Sequence, residues 1–126
     1  AKNLKINKNI IIINKAYNPY PYMKRSNLLI LTSVYEGFPN VLVESLTIGT
    51  PVISTNANAG ASEILLNGKG GDLIKIRDYR NLARKILNHF SSPKTLIKKA
   101  RIAKKNLYRF ETKRHSKIYT NLFQKI

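Results

Sequence analysis

The chain has 126 residues and a formal net charge of +17, from 23 Lys and Arg against 6 Asp and Glu. That length is one domain or part of one, and 43% apolar residues suffice for a core. Cysteine is absent, which excludes disulfides and thiolate metal sites and fits a reducing compartment; no apolar run reaches the ~20 residues of a membrane span or resembles a secretory signal. The charge is uneven. From Arg84 onward Glu111 is the one acid among many lysines and arginines. Such a surface attracts nucleic acid, anionic lipid headgroups or phosphorylated substrates, or is simply a solvated basic face.

Residues 9–14 hold four consecutive isoleucines and predict a strand buried on both faces. Residues 17–22 contain Pro19 and Pro21, which forbid a regular helix interior, so a short helical turn over 21–25 is expected. Residues 28–32 read as a second buried strand. Gly37 and Pro39 then break the strand direction, Asn40 is placed to cap a helix over 41–48, and Gly49 closes it. Residues 51–55 are a third strand, 60–66 a short helix, Asn67 and Gly68 a turn, and 70–76 a fourth strand. Asp78 caps a further helix whose apolar positions are Leu82, Ile86 and Phe90, with Leu87 adjoining. Ser92 can cap the next, with Pro93 its first residue. There Leu96, Ala100, Ala103 and Leu107 share a face while Lys98, Lys99, Lys104 and Lys105 stay wet. A last helix from about Glu111 places Ile118, Leu122 and Ile126 on one stripe.

Strands alternating with helices imply right-handed β-α-β units. The fold class is α/β: a partial Rossmann-like three-layer domain, with a small parallel sheet of four strands flanked by helices. A Rossmann-like half usually has six strands, so the chain is expected to begin partway through a domain.

Two of the six acids, Glu36 and Glu44, bracket the turn between the second strand and its helix. In an open α/β sheet, ligands bind outside the carboxyl ends of the strands, where this loop lies. A helix start there offers free N–H groups and a positive dipole end to a phosphate. Gly37 lets a ligand approach, and Pro39 fixes the turn. Glu44, one turn after Asn40, can accept two hydrogen bonds from a vicinal diol such as a ribose. Glu36 can reach a sugar hydroxyl or a developing positive charge. Spacing alone equally allows two surface carboxylates that favour the helix dipole. His89 and His115 lack any ligand spacing and read as surface helix residues.

The wording around the pair is more specific. Tyr35-Glu-Gly-Phe-Pro-Asn-Val-Leu-Val-Glu-Ser, Gly49-Thr-Pro-Val-Ile-Ser-Thr, Gly60-Ala-Ser-Glu-Ile-Leu and Asn67-Gly-Lys-Gly-Gly closely resemble the family 4 glycosyltransferases of GT-B fold. Asn18-Pro-Tyr-Pro-Tyr-Met and Ser26-Asn-Leu resemble that family's preceding segment. The resemblance implies a retaining, metal-independent glycosyltransferase with no cofactor beyond its donor, a nucleotide-sugar of UDP type. Glu36 would face the transferred sugar as the catalytic residue. Gly37, Phe38, Pro39, Asn40 and Val41 would wrap the sugar and diphosphate, and Glu44 would hold the ribose. Residues 1–110 would be the C-terminal, donor-binding domain, incomplete at its start, and 111–126 a helix packing toward an N-terminal domain not in this chain.

Two departures stand against the pattern. Asn14-Lys15-Ala16 replaces a usual glycine, and the upstream glycine-bearing strand end and Arg/Lys pair are missing. The expected partners are the donor, a glycan or lipid-linked acceptor of the cell envelope held by the missing half, and an anionic membrane surface, with no nucleic acid. The expected place is the cytoplasm, peripheral at the inner face of the plasma membrane, and turnover by the chain alone is not expected. The competing readings are a basic nucleic-acid- or membrane-binding module, and a noncatalytic relic.

Overall fold

The structure is a computed structural model that describes residues 6–57 and 59–124. Helix α1 (Tyr20–Arg25) precedes β1 (Leu29–Leu31), α2 (Asn40–Ile48), β2 (Val52–Thr55), α3 (Ala59–Ile64) and β3 (Asp72–Ile74), after which come α4 (Tyr79–Ser91), α5 (Pro93–Lys105) and α6 (Thr112–Phe123). The three strands are parallel in the order β1-β2-β3, with Ile30 opposite Ile53 and Ser54 opposite Leu73.

The central strand shows why the sheet is parallel and enclosed. All four residues of β2 are buried. Successive side chains of a strand point to opposite faces, so a strand with every residue buried has both faces covered. Val52 packs with Leu42 and Leu46 of α2, Ala61 and Ile64 of α3, and Ala100 and Ala103 of α5. Ile53 packs with Ile74 and Leu96, flanked by Leu28, Leu82 and Ile86. The result is the expected three-layer α/β arrangement. Each large side chain sealed there contributes roughly 1.5–3 kcal/mol of transfer free energy.

Several expectations change. Residues 10–13 form no strand, and among the described residues the sheet has three strands instead of four: Asn7–Asn9 is a 3-10 turn, and Ile11 and Ile12 are 89% and 80% exposed. A β-branched run realises its strand preference through pairing and burial, and these isoleucines have neither. Asn40 does not cap α2. Pro39 holds that position, the Asn40 N–H donates to the Phe38 carbonyl at 2.9 Å, and no side chain caps the helix. At α4, Asp78 does cap, accepting from the Asn81 N–H at 3.1 Å. Yet His89, not Phe90, completes the inward stripe. Seven residues make almost two whole turns while eight overshoot by about 80°, so after Leu82 the side chain facing the sheet is His89. His89, expected at the surface, is 5% exposed, whereas Phe90 is 61% and Leu87 67% exposed. The His89 Nε2 lies 3.1 Å from the Asn27 carbonyl, tying α4 to the segment before β1. Lys99, too, leaves the wet face of α5: it and Lys85 both bind Asp72. Ser92 precedes Pro93 as expected but makes no side-chain capping bond.

Gly49 closes α2 with φ +101°, the left-handed conformation that glycine adopts without strain. Every described residue of α6 is exposed, Ile118 and Leu122 included; Ile126, placed on the same stripe by periodicity, lies outside the described residues.

Candidate functional site

The loop between β1 and α2 leaves the sheet at the carboxyl end of β1. Its carbonyls are gripped from the neighbouring strand. Thr55 ends β2, is buried, and donates from Oγ1 to the Ser33 carbonyl at 2.6 Å. Ser33 in turn donates from Oγ to the Glu36 carboxylate at 2.5 Å. Glu36 is half-buried. Its carboxylate is therefore held by hydrogen bonds that trace back, through Ser33, to the sheet.

Gly37 follows in open space: a Cβ added there would meet nothing within 4 Å, and its φ is not in the left-handed range. The fold itself does not demand glycine here. Gly70 is the opposite case, where a Cβ would come within 2.7 Å of the Ala103 Cβ. The Gly-Gly of the Asn67-Gly-Lys-Gly-Gly motif thus has a packing explanation and Gly37 has none.

Phe38 turns toward the end of α5. Its ring meets Phe110 edge to face at a centroid distance of 5.3 Å. Phe110 is backed by the Arg109 guanidinium at 4.9 Å, which also donates to the carbonyl of Glu63, near the end of α3, at 3.1 Å. Pro39 is buried, Asn40 exposed and Val41 half-buried at the start of α2. Glu44 is half-buried on the next turn and lines a cleft of about 330 Å³ with Tyr20, Val43, Thr47 and Ile48. None of residues 36–41 lines that cleft. The structure therefore gathers Glu36 to Val41 on one loop and helix start, with Glu44 on the same helix but facing α1.

Ser33, Thr55 and Phe110 support the loop and were not singled out in the sequence. The Ser33 hydroxyl, three residues before Glu36, was the one local signal. Phe110 is far along the chain and no spacing rule would pair it with Phe38. His115 is exposed, as expected, with Nε2 2.9 Å from the Arg109 carbonyl. Among the described residues no three His, Asp or Glu side chains cluster as metal ligands. No described helix is long and apolar enough to cross a membrane.

A parallel α/β sheet with a loop at the carboxyl end of a strand, feeding a helix, has this loop where open α/β folds place their ligands. The family model described as "Glycosyl transferases group 1" matches residues 1–109, and the chain belongs to that family. It is 29% identical over 119 residues to the N-acetylgalactosamine-N,N'-diacetylbacillosaminyl-diphospho-undecaprenol 4-alpha-N-acetylgalactosaminyltransferase of Campylobacter jejuni, covering 93% of this chain and 31% of that protein. It is 34% identical over 98 residues to the Vi polysaccharide biosynthesis protein VipC/TviE of Salmonella typhi, covering 73% and 17%. Among solved structures, Anabaena Alr3699/HepE in complex with UDP-glucose superposes with a TM-score of 0.76 at 24% identity, over 86% of this chain and 30% of that one. The chain thus spans less than a third of the length of these relatives.

Proposed function

We propose that this chain forms the donor side of a retaining, metal-independent glycosyltransferase that takes a UDP-linked sugar. The observation that carries the reading is the Glu36 carboxylate, fixed through Ser33 and Thr55 at the carboxyl end of β1, immediately before a glycine that the fold does not require. A carboxylate so placed can face a sugar whose transition state gains positive charge at the anomeric carbon. The space beside Gly37 admits the sugar, and the segment Phe38, Pro39, Asn40 and Val41 wraps the diphosphate; Pro39 has no N–H and that of Asn40 is given to the Phe38 carbonyl, so the anion is met by the dipole and the remaining free N–H groups of the first turn of α2. Glu44 holds the ribose hydroxyls.

The relatives named for undecaprenol-linked and Vi polysaccharide chemistry support a cell-envelope glycan or lipid-linked acceptor. Its recognition is assigned to the length those relatives have beyond this match, so the chain by itself binds donor weakly and does not turn over. Calorimetric titration with UDP and a set of UDP-sugars tests this on the wild type and on Glu44→Ala. Loss of a charge-assisted pair to a diol should weaken binding about tenfold or more. Equal affinity of the two proteins, or no binding of any UDP compound, overturns the reading. Measurable transfer by residues 1–126 alone overturns the division of labour.

A further inference from the structure

Helix α5 carries six cations and no acid in 13 residues. Leu96, Ala100 and Ala103 face the core, and Lys99 is held by Asp72. Lys94, Lys98, Arg101 and Lys105 recur at steps of four, three and four, which sets them on one line along the helix. At 1.5 Å per residue that line is about 16 Å long. All four are exposed, and among the described residues no carboxylate pairs with any of them. Like charges one turn apart repel. The stripe therefore opposes helix formation slightly and does nothing for the core; an anionic surface outside the chain would compensate it.

We propose that this stripe docks the protein onto a bilayer rich in anionic lipid. The proposal goes beyond the donor reading and does not depend on it. Two observations favour lipid over nucleic acid. The exposed line on α5 holds no aromatic residue to stack on a base, which single-stranded binders rely on. And α4, which leads into the stripe through Ser92, ends with the large apolar side chains of Leu87 and Phe90 exposed; exposed apolar groups close to cations in the chain suit a headgroup boundary.

The test is co-sedimentation of the full chain with vesicles of phosphatidylcholine alone and of phosphatidylcholine mixed with phosphatidylglycerol. The wild type is compared with Lys98→Glu/Arg101→Glu and with Lys69→Glu/Lys75→Glu, which makes the same charge change at exposed positions off the helix. Circular dichroism melts establish that each variant is folded. Binding is expected only with phosphatidylglycerol. The α5 variant should partition about 25-fold less or worse, and the control should stay within a few-fold of the wild type. Equal losses in both variants would show diffuse charge and overturn the stripe. Salt-sensitive binding to a DNA duplex without vesicle binding would overturn the choice of lipid.

Discussion

Asp72 begins β3 between two lysines that reach it from different helices. Lys85 of α4 binds one carboxylate oxygen at 3.0 Å and Lys99 of α5 the other. Partial burial alone would push this carboxyl up, but the hydrogen bonds and charges of Lys99 and Lys85 outweigh it and hold it below the ordinary carboxylate range. A carboxyl depressed in the folded state adds stability above its unfolded value, near 3.9. That contribution fades as pH falls through the lower folded value. Asp72→Asn should therefore unfold at lower urea concentration than the wild type at neutral pH, by about 1–3 kcal/mol. The gap should close as the pH drops below about 4. A gap that is constant with pH would show that the pairs are incidental.

At the scale of elements, α4 shows how much the sequence conveys and where it stops. Its start at Asp78, its end before Pro93, and Leu82 and Ile86 on its inner face were all legible. The third inner position was not. Hydrophobicity favours Phe90 over His89, but helical phase decides which side chain meets the sheet, and the Asn27 carbonyl gives the imidazole a partner that no local pattern reveals. His89→Ala should therefore cost about 2 kcal/mol or more, through a cavity and an unpaired carbonyl, while Phe90→Ala should fall within about 0.5 kcal/mol. Urea unfolding of the two variants checks this, and the reverse order would contradict the packing of α4. Residues 10–13 fail for the related reason that strand formation is decided by neighbours. The candidate loop was legible as a loop because Gly37 and Pro39 mark it. Its anchoring at Ser33 by Thr55, and the edge-to-face contact of Phe38 with Phe110, depend on residues 22 and 72 positions away in sequence.

For the whole molecule, the two clusters that seal the sheet draw on elements up to Phe110, and α6 stands outside them. Its described residues are all exposed, with Ile118, Tyr119, Leu122 and Phe123 each more than half so. Local contacts join it to what precedes: the His115 ring to the Arg109 carbonyl, and the Arg114 guanidinium over the Tyr108 ring at 5.3 Å. We propose that residues 1–110 carry the fold and that 111–126 form an arm whose apolar side meets other parts of a longer protein. Neither local contact is buried, so each contributes little. Ending the chain at Glu111 should then lower the melting temperature by no more than about 5 °C, the shift that roughly 1 kcal/mol produces in a domain of this size. The transition should stay cooperative by circular dichroism. A fall of more than about 10 °C, or a broad melt, would mean that α6 supports the domain, and the boundary at 110 would have to be abandoned.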